Sequence, residues 1–267
     1  MRPLGIFVWF GYDLPPAESL RRIRAAGFDG VMLWWGAFDG DDVPLFRQPS
    51  LARECGLRVE NAHAPFDGCN TLWLSGPKGD GYASGLIRCA EECAACGVDT
   101  LVVHITDGPN PPPWHPRGLT RLRRAVQEAG KAGVTLAFEN LRHPDYVRRT
   151  LDALEDAAFC YDSGHARVEF PPAQGFPAGN GLPARYPGRV KALHLHDNDG
   201  KWDRHILPYD GVIDWEKVAD RLRAAAYDGP LTLEVQAGEW YESRMDADAF
   251  LRRAYAAAAR LRERLDF

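Results

Sequence analysis

No apolar stretch of this sequence reaches the roughly 20 residues that a transmembrane helix needs, so no membrane partner is expected. Basic runs are equally absent: nothing exceeds an Arg-Arg pair, and the formal net charge is -5, which counts against a nucleic-acid footprint. The six cysteines, at positions 55, 69, 89, 93, 96 and 160, are too few and too irregular for a disulfide framework, so reduced thiols are expected. The start, Met1 to Phe10, holds one Arg and a short apolar run that leads into Gly11 without a small-residue cleavage site. The protein is therefore expected to be cytoplasmic and mature as written.

What is present is an ordinary globular composition, 45% hydrophobic and 26% charged, able to bury a full core. A pattern recurs along it: an amphipathic helical stretch ends in a small residue or Cys plus Gly, and a short apolar run follows. It occurs at Ala26-Gly27 before Gly30 to Trp35, Cys55-Gly56 before Leu57 to Asn61, Cys96-Gly97 before Thr100 to His104, Ala132-Gly133 before Val134 to Glu139, and Tyr227-Asp228-Gly229 before Pro230 to Val235. Runs this continuous read as buried parallel strands. With Leu4 to Phe10, Ala158 to Asp162 and Val190 to His196 they make eight. Helices are expected over Pro16 to Ala26, Pro44 to Cys55, Tyr82 to Cys96, Leu119 to Ala132, Pro144 to Leu154, Trp215 to Ala226 and Ala247 to Leu265, with a short helix or loop in the Pro/Gly-rich segment Phe170 to Arg189. The alternation predicts one α/β domain over residues 1–267, a (β/α)8 TIM barrel, with an open doubly wound sheet as the structural alternative.

In such a barrel the site lies at the C-terminal ends of the strands. Here strand three is followed by His63, and strand four ends in His104. Strand five ends in Glu139-Asn140, strand six in Asp162-Ser163-Gly164-His165, strand seven in His194-Leu195-His196-Asp197, and strand eight in Glu234. Imidazoles and carboxylates converging from separate strands suit a divalent cation, and buried acids at Glu139, Asp162 and Glu234 would be costly without one. Asp203-Arg204-His205 adds two further donors. Trp9, Phe10, Trp34, Trp35, Phe66, Trp73 and Trp240 fall at or beyond strand ends, although Trp34 and Trp35 cannot both face inward. Pro109 to Pro113 reads as a stiff loop walling the mouth, and Gly76 to Gly85 as a mobile lid. Cys89, Cys93 and Cys96 have a cluster-like spacing, but i, i+4, i+7 on a helix marks a buried face and not an iron–sulfur loop.

In order along the chain, His63-Ala64-Pro65-Phe66, Leu101-Val102-Val103-His104, Phe138-Glu139-Asn140, Tyr161-Asp162-Ser163-Gly164-His165-Ala166, Val190 to Asn198, Asp203-Arg204-His205 and Leu233-Glu234 resemble the xylose-isomerase-like barrel superfamily of sugar isomerases, epimerases and endonuclease IV-type nucleases. The resemblance implies one divalent ion (Mn, Co, Mg or Zn) on Glu139, Asp162, His194 and Glu234. Its nuclease branch implies three zinc ions, with His63, His104, His165, Asp203 and His205 as additional ligands. In the isomerase branch the residue matching His165 contacts substrate, and His63, His104, Trp34, Phe66 and His196 are expected beside it. An Arg that follows the strand-seven His in ketose epimerases has no counterpart, since Gly200 and Lys201 occupy that stretch.

The expected chemistry is isomerisation or epimerisation of a sugar, sugar phosphate or polyol. The ion would polarise a carbonyl and stabilise an enediolate, while Glu139 and Glu234 move the proton. An abasic-site phosphodiesterase and a non-catalytic sugar-binding barrel are the alternatives. A small sugar is the expected partner, and a homo-oligomer is compatible with this composition.

Overall fold

The computed structural model describes residues 1–36, 43–166, 181–241 and 244–266. Its parallel strands are β1 (Leu4–Phe7), β2 (Gly30–Trp34), β3 (Arg58–His63), β4 (Thr100–Val103), β5 (Thr135–Glu139), β6 (Ala158–Asp162), β7 (Val190–His194) and β8 (Leu231–Leu233). They run in the order β7-β6-β5-β4-β3-β2-β1-β8, and the ring closes through the parallel bridge Leu195↔Leu233. Thr232 and Leu195 carbonyls accept the Leu195 and Glu234 amides across that seam at 3.0 and 3.1 Å. This is a (β/α)8 barrel, as the alternation predicts.

The helices are α1 (Pro16–Ala25), α2 (Gln48–Glu54), α3 (Pro77–Ala95), α4 (Pro116–Lys131), α5 (Pro144–Ala153), α6 (Leu182–Arg185), α7 (Trp215–Ala224), α8 (Gly238–Tyr241) and α9 (Ala247–Asp266). Proline sits in the first turn of α1 to α6, where its missing N–H costs nothing and its fixed φ suits the helix. Asp214 caps α7 by accepting from the Lys217 amide at 3.2 Å. Among the described residues no helix is long and apolar enough to cross a membrane.

Three expectations are corrected. Gly76 to Gly85 is no lid: residues from Pro77 onward form the first turns of α3, and Gly79 packs where any Cβ would strike the Thr71 carbonyl and Arg121. The helix before β8 turns at Ala226 (φ 51°), not at Gly229, although Gly27 (φ 106°) and Gly97 (φ 67°) do end theirs left-handed. The Pro109 to Pro113 loop is tied to α5, its Pro109 and Pro112 carbonyls meeting His143 Nε2 at 3.0 Å and Tyr146 Oη at 2.5 Å, and it does not line the mouth. The Pro/Gly-rich segment supplies the short α6, and its residues 170–180 lie outside the described residues.

Strand side chains alternate between the helix layer and the barrel interior. Leu136, Phe138, Phe159, Tyr161, Leu193 and Leu233 join the large outer core. Val102, Ala137, Ala158, Cys160 and Ala192 form a separate buried layer inside the ring. The next inward positions above that layer are His104, Glu139, Asp162 and His194. Two bulges adjust this register. At one, Lys191 is passed over between the Phe159↔Val190 and Cys160↔Ala192 pairs, which places His194 opposite Asp162.

The other bulge passes over Glu60 between Val31↔Val59 and Met32↔Asn61. A Cβ on Gly5 or Gly30 would lie within 2.7 Å of the Glu60 carboxyl carbon, so these two glycines make its room at the barrel floor. Thr232 donates to Glu60 Oε2 at 2.5 Å, while buried Oε1 has no partner. Burial pushes this carboxyl up to about 7, against the Thr232 hydrogen bond and the Arg58 charge. A carboxyl raised in the folded state binds its proton more tightly there, so its stabilising contribution is complete below the unfolded value near 4.5 and is lost as pH rises to about 7. The expected difference between wild type and Glu60→Gln across that window is roughly 3 kcal/mol, at about 1.4 kcal/mol per unit. Denaturant titrations at pH 4.5 and 8 measure it; parallel losses in both proteins would show that Glu60 is not the titrating group.

Candidate metal centre

Glu139 ends β5 pointing into the ring and is 1% exposed. Its Oε2 lies 3.2 Å from His63 Nε2, 3.1 Å from His104 Nε2 and 3.1 Å from His194 Nδ1, and its Oε1 lies 3.0 Å from His165 Nδ1. Four strands or strand ends thus deliver imidazoles to one carboxylate. His194 Nδ1 is also 3.3 Å from Glu234 Oε2. One ligand atom each from Glu139, Asp162, His194 and Glu234 all fall within 4.8 Å of one another. His63–Glu139–His194, His165–Asp203–His205 and His196–His205–Glu234 form three further sets of the same compactness.

Proton positions show what these gaps favour. His63 Nδ1 lies 2.8 Å from the Ala64 carbonyl, an acceptor only, so Nδ1 carries the hydrogen and Nε2 turns a lone pair toward Glu139. His205 repeats the arrangement: Nδ1 donates to the Glu234 carbonyl at 2.9 Å, leaving Nε2 to face Asp203 Oδ2 at 3.1 Å. Lone pair facing lone pair is repulsive unless a proton or a metal cation lies between. His165 Nδ1 and both nitrogens of His194 are buried without a hydrogen bond. These donors are oxygen and nitrogen, hard to borderline, and fit Mn, Co, Mg or Zn.

With protons alone in these gaps the site is strongly polarised. Burial opposes the charge on His205, yet Asp203 lifts it to about 10. His165 is raised well above the imidazole range by Asp162 and Asp203, against burial. Burial would raise Glu139, but His194 and His104 hold it well below the usual carboxylate range. Asp203 is held low by His165 and His205. His104 moves the other way, lowered because burial outweighs Glu139. A cation taking the place of these protons would release them, so binding weakens in acid.

A second layer fixes the donors. Asn140 donates to the Asp162 carbonyl at 2.8 Å and accepts from its amide at 2.9 Å, clamping the ends of β5 and β6. The His165 amide donates to Asp162 Oδ1 at 2.6 Å. His205, at φ 47°, holds a backbone conformation rare for a side-chain-bearing residue. His196 is the expected contact that the structure moves: fully buried, it meets Asp162 Oδ2 at 3.1 Å, stacks on His205 at 4.1 Å and does not line the cavity, so it supports a donor from behind. Asp197 is likewise structural, its carboxylate accepting four donors from the β7–α7 loop and α7.

Above the donors opens a cavity of about 460 Å³. Trp9, Trp34 and Phe66 wall one side, and Trp34 stacks on His63 at 5.4 Å and Phe66 on His104 at 4.5 Å, so they also orient imidazoles. Of the other aromatic candidates, Trp35 turns away to donate to Glu92 at 3.0 Å, Phe10 and Trp73 are core, and Trp240 is a surface residue. Cys93 is buried in α3, and Cys89 and Cys96 flank it as free thiols. Phe7, Asp107, Leu141 and Gln236 line the cavity unanticipated. Counting by two from Trp9 and from Glu234 would have found Phe7 and Gln236; Asp107 and Leu141 sit on loops, where no period applies.

Residues 20–259 match the family described as xylose isomerase-like TIM barrel, and the chain belongs to it. A protein of Streptomyces coelicolor named "Putative hydroxypyruvate isomerase" is 24% identical, the match covering 85% of this chain and 88% of that protein. An uncharacterized protein, y4fM, of Sinorhizobium fredii is 35% identical over 104 residues, which cover 39% of this chain and only 30% of that longer protein. In structure the chain is similar to an L-ribulose 3-epimerase, with a TM-score of 0.75 at 19% identity, covering 100% of this chain and 97% of that one. A D-psicose 3-epimerase from Clostridium cellulolyticum H10, solved with D-tagatose, also gives 0.75, at 14% identity and 98% and 99% coverage.

Proposed function

We propose that this protein is a divalent-metal-dependent isomerase or epimerase of a small sugar. The observation that carries the reading is the convergence of three imidazole nitrogens on Glu139 Oε2 at 3.1 to 3.2 Å, with Glu234 beside them, beneath a cavity of sugar size. Glu139, Asp162, His194 and Glu234 would hold the ion, which when bound supplies a Lewis acid for the substrate carbonyl. Glu139 and Glu234, entering from β5 and from the end of β8, remove and return the proton on the carbon beside that carbonyl. His165 and Asp203 at the rim hold substrate hydroxyls. Trp9 and Trp34 meet its C–H face and exclude water. The similarity to sugar epimerases and to a hydroxypyruvate isomerase supports this class, and six free thiols accord with a cytoplasmic setting.

The overlapping donor sets favour a second reading, a phosphodiesterase with three zinc ions, in which one would activate water and the others steady phosphate oxygens. Metal per chain on protein purified without chelators, followed by chelation and add-back on a panel of ketoses and aldoses, separates the two. The expected result is one ion per chain and sugar turnover that chelation removes and Mn, Co, Mg or Zn restores. Close to three zinc ions with cleavage of abasic-site DNA would replace it.

A further inference from the structure

We infer that the substrate of this cavity carries no phosphate group: it is an uncharged carbonyl-and-hydroxyl compound, an inference that rests on the sugar reading above. A phosphate dianion needs donors, and barrels usually take them from Lys or Arg and from backbone amides of the loops after the seventh and eighth strands. Among the described residues none of the cavity's lining is Lys or Arg, whereas Asp107, Glu139, Asp203 and Glu234 all face it.

Many amides of both loops are already committed, and those of the first turn of α8, Gly238 to Trp240, belong to residues that do not line the cavity. After β7, the Asp197 carboxylate accepts from the amides of Asn198 (2.9 Å), Tyr209 (3.1 Å) and Ile213 (3.0 Å) and from Trp215 Nε1 (2.8 Å). Asp199 takes two more, from Lys201 at 2.9 Å and Trp202 at 2.8 Å. After Glu234, the Gln236 amide donates to the His205 carbonyl at 2.8 Å and the Ala237 amide to Phe10 at 2.9 Å. The protein's own carboxylates and carbonyls take up these amides. A phosphate in the cavity would lose its hydration, find no Lys or Arg among the described lining residues and meet like charge.

Among the described residues, Arg142 lines an adjoining chamber of about 180 Å³ that it shares with Asp107 and Asp203. Two acids beside that guanidinium offset the field a dianion would use.

The test uses the full chain reconstituted with Mn and two non-reacting probes, D-glucitol and D-glucitol 6-phosphate, titrated by calorimetry, with inorganic phosphate as a control for loss of metal. The expected result is that the neutral polyol binds at least ~10-fold more tightly than its ester. Equal or tighter binding of the ester, especially if weakened in Arg142→Ala, would overturn the inference while leaving the sugar reading standing. Binding of neither probe to metal-loaded protein would overturn the sugar reading and this inference with it.

Discussion

Glu139→Gln is expected to lower kcat by at least ~10³-fold on any sugar the native protein turns over, and to leave less metal bound after dialysis. The side chain is the meeting point of the site, with imidazole nitrogens of His63, His104 and His194 on one oxygen and His165 on the other. A glutamine keeps the shape but removes the charge, presents N–H donors on one end, and can neither take up a proton at neutral pH nor hold a cation strongly. Both effects act on the same step, so kcat falls more than either alone would predict. Turnover assays with metal quantified per chain by mass spectrometry check the two parts separately. If saturating metal restores the variant to within tenfold of native kcat, Glu139 is a ligand without a role in proton transfer. If metal content and turnover both stay native, Glu139 lies outside the centre.

Much of this centre could be read from the sequence because the barrel imposes a rule: the last inward residue of each strand faces the same mouth. His104, Glu139, Asp162, His194 and Glu234 all obey it, and the structure gathers them together. The rule also explains the failures. His196 follows His194 by two and so points the same way by counting, but the chain leaves the strand after His194, and the ring ends behind Asp162 instead of in the cavity. Gly76 to Gly85 looked like a lid because glycine disfavours helices, yet Gly79 is the residue that fits against Arg121 and Thr71, and tertiary packing overrode propensity. Glu60 gave no periodic signal because it is the extra residue of a bulge. Nothing local in Asp197 distinguishes a ligand from a staple; only the loop closing over it decides.

Gly164→Ala tests how much of the site depends on that support, and it is expected to weaken metal affinity by ~10- to 100-fold although residue 164 is none of the four proposed ligands. A Cβ there would sit 1.9 Å from His196 Cε1 and 2.4 Å from its Nδ1, an overlap that no rotation of a methyl group relieves. The ring has nowhere to go in place, since it is fully buried and stacked on His205. Displacing it removes the partner of Asp162 Oδ2 and disturbs His205, so two donor sets lose their alignment together. Overpacking of this kind costs ~1 to 3 kcal/mol of stability as well. The double variant Gly164→Ala/His196→Ala separates the causes: removing the ring relieves the overlap and should return most of the stability, yet Asp162 remains without its partner, so metal affinity should stay low. Competition with a chromogenic chelator gives the affinities and denaturant titration the stabilities. Native affinity in the double variant would mean that His196 only fills space and that Asn140 and the His165 amide suffice to hold Asp162.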